Sequence, residues 1–313
     1  VAQAPADVDV AKESYETLLS LSSSENAVGQ RLQAVQDLND ALVQIQKVLA
    51  AKPGDTNVKV ELANVESRIG QMQLDARDAG GAIPHLTHAS TLLQELSAAD
   101  PGNAVFRRGR SIVEAQWAAA LRGSGQLQEG VAHNQEALRI AEALRQSSPK
   151  STQYGIDVAV SERKLSEGLL ATGDAANALH HAELAMVILC AESAASSNTN
   201  TLSNCGRSEV AAANASMALH HAAAAEATLR KAETIAAALC QKDPTNAIFR
   251  SDLARTQAAL GVALFQVDDR DSAKAMYAQA LQNWSVLRAA KSISAEDSYR
   301  SDMTHADLLT HQG

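Results

Sequence analysis

Apolar and polar positions along the chain repeat with a period of 48 residues. Aligned on one alanine per period, the columns read Ala41, Ala89, Ala137, Ala185, Ala232 and Ala280. Seven residues earlier stand Ala34, Ala82, Gly130, Ala178, Ala225 and Ala273, and between the two columns lie Leu38, Leu86, Asn134, Ala182, Leu229 and Tyr277. A fixed period of this size marks a repeat architecture. Polar punctuation keeps the same register. Pro5, Pro53, Pro101 and Pro149 are 48 residues apart, Pro244 follows 95 residues on, and only Pro84 is out of step. Two residues after each of the five stands Asp7, Asp55, Asn103, Ser151 or Asn246, whose short side-chain oxygen suits a helix N-cap. Five residues after each comes Val10, Val58, Phe106, Tyr154 or Phe249, the first apolar anchor of the new helix. Turns between paired helices fall at Gly29-Gln30, Gly125-Gln126, Gly173-Asp174 and Asp268-Asp269, where glycine accepts a left-handed backbone.

These signals predict helices of about 18–21 residues, such as 104–123 paired with 126–147. The units are 5–52, 53–100, 101–148, 149–195, 196–243 and 244–293, read as one repeat domain over 1–313 with a cap at 294–313. Tyr299-Arg300-Ser301-Asp302-Met303 echoes Phe249-Arg250-Ser251-Asp252-Leu253 and opens the capping helix. The stretch 192–208 lacks the boundary proline and carries the most polar run, Ser196 to Thr201, so it reads as an exposed, mobile loop.

Composition sharpens this picture. Apolar residues make up 46% of the chain, much of it alanine, and aromatics only 3%. Alanine favours helix and lets helices approach closely, so almost no sheet is expected. The formal net charge of −9 disfavours a nucleic-acid partner. No apolar run reaches the roughly 18–20 residues of a membrane span. Val1-Ala2-Gln3-Ala4 has the small-residue character of a processed or tethered N-terminus, and an arbitrary boundary explains it equally well.

Leu260-Gly261, Leu264, Ala273, Tyr277 and Ala280 follow the L-G-x2-Y … A-x3-F spacing, and Ile69-Gly70 with Ala82, Leu86 and Ala89 repeats it. On these residues the chain resembles the tetratricopeptide repeat superfamily over nearly its whole length. The common repeat is 34 residues long, so about two helical turns have been added to each helix here. The resemblance implies an all-α, right-handed superhelical solenoid of six long helix pairs plus a C-terminal cap. It also implies a concave groove lined by the first helix of each pair, which binds proteins or peptides. The joint Asp-Pro-x-Asn-Ala-x-Phe-Arg, with the tail Trp284 … Lys291-Ser292-Ile293-Ser294-Ala295-Glu296-Asp297, resembles the repeats that follow the kinase domain and membrane anchor in some bacterial serine/threonine kinases. The chain itself has no phosphate-cradling Gly-rich loop, no H-R-D and no D-F-G.

The family's groove phases, carried onto this chain, give Asn64, Gln71 and Arg122 in the earlier units. In the later ones they give Arg163, Glu167, Arg207, Asn214, Met217, Arg255 and Phe265. Arginine forks suit carboxylates, and Met and Phe suit apolar groups, so an acidic peptide with an apolar anchor fits. The competing reading pairs these arginines with carboxylates of neighbouring helices. His85, His133 and His181 share one phase; successive copies would stand about 10 Å apart, too far to share a metal, and they read as copies on an outer face. Cys190 and Cys205 flank the 192–208 stretch and form a candidate disulfide in an oxidising compartment, or two thiols in a reducing one; Cys240 reads as buried. No catalytic motif, cofactor or metal site is expected. The leading function is a non-enzymatic interaction scaffold; the expected compartment is bacterial and extracytoplasmic, periplasmic or membrane-tethered, with the cytoplasm as the alternative. The alternative is the extracytoplasmic sensor or docking region of a receptor-like serine/threonine kinase.

Overall fold

The first helix of each pair begins where a short polar side chain caps it. A computed structural model of the protein describes residues 5–27, 30–196 and 198–310, which hold thirteen α-helices and no strand. In chain order these are α1 (Pro5–Ala27), α2 (Arg31–Ala51), α3 (Thr56–Asp75), α4 (Ala79–Ala99), α5 (Ala104–Gly123), α6 (Leu127–Ser147) and α7 (Thr152–Ala171). Then follow α8 (Ala175–Ala195), α9 (Thr199–Ala218), α10 (Ala222–Lys242), α11 (Ala247–Gln266), α12 (Arg270–Ala289) and α13 (Ala295–Thr310). Asp55, Asn103, Ser151 and Asn246 each accept a backbone N–H from the first turn of α3, α5, α7 and α11. Asp7 does not: α1 already begins at Pro5, a residue suited to a first turn, and Asp7 lies inside that turn.

The 192–208 stretch is corrected by the structure. It is not a loop: α8 runs to Ala195 and α9 starts at Thr199. Asn198 caps α9, accepting from Asn200 N at 2.9 Å and Thr201 N at 3.3 Å. Asn198 stands 47 residues after Ser151 and 48 before Asn246, so the cap keeps its register although Ser196 replaces the proline.

Turns within pairs share one left-handed residue. Gly125 and Gly173 take positive φ as expected, but so do Arg77, His220 and Asp268 at the same phase. In each case the next residue's N–H reaches back five residues, as in Gln126 N to Leu121 O at 2.8 Å and Asp269 N to Leu264 O at 3.0 Å. These two-ended bonds hold the left-handed turn without requiring glycine. Gly29 lies outside the described residues.

All three columns of the alignment are buried, from Ala34, Leu38 and Ala41 to Ala273, Tyr277 and Ala280. Small residues stand where paired helices cross. A Cβ on Gly261 would lie 2.5 Å from the Tyr277 ring, so only hydrogen fits there.

The helices form two compact units, Val1–Leu144 and Arg145–Gly313. The first has a continuous apolar core from Val8 and Tyr15 through Leu38, Leu62 and Leu86 to Val113. The second is closed by α13, whose anchor is polar. Ser294 and Asp297 bond reciprocally at its N-terminus, Ser294 Oγ donating to Asp297 Oδ2 at 2.7 Å and Asp297 N to Ser294 Oγ at 3.0 Å. The buried Asp297 carboxylate also accepts from Ser251, Arg255 and Trp284 Nε1. Burial pushes this carboxyl up, but the Arg255 charge and hydrogen bonds from Arg255, Ser294 and Ser251 outweigh it and hold it below the ordinary value.

Candidate functional site

Side chains on successive first helices are tied together by a polar ladder. In the first unit Arg68 on α3 donates to Leu19 O and Ser23 Oγ on α1, 49 and 45 residues away. Gln116 on α5 accepts from Ser67 and donates to Gln71 on α3, again 49 and 45 residues away. In the second unit the same spacings recur between α11 and α9, where Asp252 accepts from Ser203 at 3.0 Å and from Arg207 Nη2 at 2.8 Å. Arg255 on α11 donates to Asp297 on α13 at 2.7 Å. The ladder follows from the period: residues 49 or 45 positions apart face each other across neighbouring helices, and the last contact, to the capping helix, spans 42.

This ladder sets the state of the groove residues expected from the sequence. Asn64 is exposed on α3 and lies 3.5 Å from Glu61 Oε2. Gln71 donates to Asp75 at 3.1 Å, and Arg122 is half-buried on α5. Arg163 is buried, 6% exposed, and paired with Glu167 one turn away, so it offers no open face to a partner. Arg207 and Arg255 differ: each is pinned by a carboxylate, yet each side chain stays 38% exposed. Asn214 is half-buried on α9. Met217 and Phe265 pack against a core cluster that includes Leu260, Leu264 and Tyr277, and Arg270 sits 5.5 Å over the Phe265 ring.

The histidines do not lie on an outer face. His85, His133 and His181 turn inward, each with Nδ1 on the carboxylate of a buried glutamate 19 residues earlier: Glu66, Glu114 and Glu162. The His133 contact is 2.6 Å and the His181 contact 2.5 Å. His88 adds a second donor to Glu66 at 2.7 Å. Glu114 also accepts from Ser90 at 2.8 Å and from Arg110. Burial pushes its carboxyl up, but hydrogen bonds from His133 and Ser90 and the charges of His133 and Arg110 hold it below the ordinary value. The repeated spacing of 19 is the sequence signal for these pairs.

The same column continues to Glu209 on α9, but 19 residues on stands Thr228, whose hydroxyl donates instead to Ala224 O. Glu209 is 6% exposed, and its Oε2 has no hydrogen-bond partner among the described residues. Burial pushes its carboxyl up to about 7, against the opposing charge of Lys231 on α10. Beside it, Cys190 and Cys205 are joined as a disulfide, with Cα atoms 4.8 Å apart; Cys240 is a buried free thiol. The two sulfurs and a Glu209 oxygen all lie within 4.8 Å of one another. A disulfide offers no thiolate, so this trio does not ligate a metal in the oxidised state.

No family model and no curated protein matches the chain. Solved structures do. A Rap protein complexed with the Competence and Sporulation Factor aligns over 95% of this chain and 76% of its own, with 12% identity and a TM-score of 0.61. Aspartyl phosphate phosphatase F from Bacillus subtilis aligns over 97% and 70%, with 12% identity and a TM-score of 0.59. BtubC (BKLC) from P. vanneervenii aligns over 81% and 91%, with 12% identity and a TM-score of 0.58. At this identity the likeness concerns the fold, an all-α helix-pair repeat of tetratricopeptide-like type.

Proposed function

We propose that the chain is a non-enzymatic interaction scaffold that recognises an acidic protein segment on the face shared by α9, α11 and α13. The observation that carries this reading is the pair Arg207 and Arg255, 48 residues apart, each held in place by a carboxylate and each still partly open to solvent. A guanidinium has five N–H donors, and one carboxylate does not use them all. Holding the fork rigid lowers the cost of binding a second carboxylate. Met217 and Phe265, on the same two helices, supply apolar surface for an anchor residue. A solved relative in fold is complexed with the Competence and Sporulation Factor, which supports a binding role for this class of scaffold.

The test is fluorescence anisotropy with a labelled glutamate-rich peptide carrying one leucine. Binding should weaken with added salt and fall at least about tenfold in Arg207→Gln/Arg255→Gln, as expected for two charge-assisted contacts. Equal binding by wild type and double variant would remove the site.

The finer reading, a docking region of a receptor-like serine/threonine kinase outside the cytoplasm, rests on the Asp-Pro-x-Asn-Ala-x-Phe-Arg joint. The Cys190–Cys205 disulfide supports an oxidising compartment. A kinase domain and one apolar span encoded upstream of Val1 would bear it out; a gene encoding neither would overturn it.

A further inference from the structure

We propose that Cys190–Cys205 is a thiol–disulfide exchange site with its own proton donor, Glu209, and that its substrate class is a dithiol reductant. The two sulfurs differ in access. Cys205 is 2% exposed, packed among apolar neighbours that include Ala159, Leu189 and Ile235, whereas Cys190 is half-buried. An incoming thiolate therefore meets Cys190. Glu209 follows Cys205 by four residues on α9, one turn along the same helix face, which brings its carboxyl to the buried sulfur. Its Oε2 has no hydrogen-bond partner among the described residues, although the same column elsewhere is served by histidine.

One thiolate of the dithiol forms a bond to Cys190 Sγ. The bond between the two cysteine sulfurs breaks, and its electron pair goes to Cys205 Sγ. That sulfur takes the proton from the Glu209 carboxyl, leaving Cys205 as a thiol and Glu209 as a carboxylate. The second thiol of the reductant loses its proton to water and attacks its own partner sulfur. Cys190 leaves as a thiolate and is protonated by water, and solvent reprotonates Glu209. The net change oxidises the dithiol to a disulfide and reduces Cys190–Cys205 to two thiols. Expelling a buried thiolate into apolar surroundings is unfavourable unless a proton arrives with it. The acid form of Glu209 persists to about pH 7 because burial disfavours its charge; Lys231 on α10 opposes this, and the neighbours of Cys205 from α7 and α8 are apolar.

The test is the rate of disulfide opening in the full chain with dithiothreitol, expressed per thiolate, from about pH 5.5 to 8.5. Wild type should lose at least about tenfold in rate as pH rises through the Glu209 transition, because the acid form falls about tenfold for each pH unit above it and a positioned proton donor is worth more than that. Glu209→Gln should be slow throughout with a flat profile, while Glu162→Gln should keep the wild-type profile. A flat wild-type profile, or the same slope in Glu209→Gln, overturns the proposal. Should Glu209→Gln lose helicity, the wild-type and Glu162→Gln profiles decide alone.

Discussion

Glu114 and Glu209 occupy one column of the repeat, yet their surroundings give them opposite chemistry. Glu114 meets His133, Ser90 and Arg110 and is held ionised. Glu209 has Thr228 where the histidine should be and keeps its proton to about pH 7. A repeat copies a buried acid together with its partner, and the pair is then architecture. When one copy loses the partner, the acid that remains becomes a titratable group in the core. The two also respond to pH in opposite senses. Glu114, with its folded value depressed, adds stability above the unfolded carboxyl value and loses it as pH falls through the folded one. Glu209, with its folded value raised, leaves the protein most stable below the unfolded value. That stability is lost between about pH 4.5 and 7.

The largest expected effect comes from breaking the satisfied copy. Glu114→Ala leaves His133 and Ser90 without their acceptor and Arg110 with Glu136 alone, and should cost about 3 kcal/mol, the lower end for a broken buried pair. The urea midpoint at neutral pH reads it. A loss below about 1 kcal/mol would mean the pair is not structural, and the comparison fails.

Removing the unsatisfied copy should do the reverse. Glu209→Gln replaces a charge that the core disfavours with a neutral group of similar shape. Above pH 7 it should stabilise the protein by about 1–2 kcal/mol, less than the full shift implies because solvent screens part of the field. Near pH 4, below the ordinary carboxyl value, Glu209 is largely protonated in folded and unfolded chains alike and the gain should nearly vanish. Thermal midpoints of wild type and variant, compared at the two pH values, measure this difference. A gain that is the same at both would show that packing, not ionisation, is responsible.

The period, the helix caps at Asp55, Asn103, Ser151 and Asn246, and the buried alanine columns are all legible because each is a column in one alignment. Coupling between columns is not. His85, His133 and His181 line up yet read as outward, because their acid partners stand 19 residues away in a different column. The arginine partners Asp252 and Asp297 escape the alignment for the same reason, being a period away less a few positions. Asn198 is hidden because one unit is a residue short and Ser196 stands in place of its proline. The opposite placement of Arg163 and Arg207, one buried and one open, depends on packing that no phase rule records.

The smallest and most discriminating change restores the missing partner. Thr228→His places an imidazole 19 residues after Glu209, the separation of the other three pairs. Thr228 is half-buried on α10 and, among the described residues, its hydroxyl bonds within its own helix, to Ala224 O at 3.0 Å, so little is lost by replacing it. The ring nitrogen should donate to the orphan Oε2 and, when protonated, favour the carboxylate. Both effects pull Glu209 down toward the ordinary range. One hydrogen bond to a buried acceptor is worth about 0.5–1.5 kcal/mol, so the gain at neutral pH should be of that size. The loss of stability between about pH 4.5 and 7 should shrink with it. The double variant Thr228→His/Glu209→Gln separates the bond from any general benefit of the larger side chain, since the coupling between the sites is what the pairing predicts. Carbon-13 NMR of labelled glutamate gives the second readout. If Glu209 still titrates near 7 in the Thr228→His variant, the repeat spacing alone does not create the pair, and the local path of α9 past α10 must differ from that of α5 past α6.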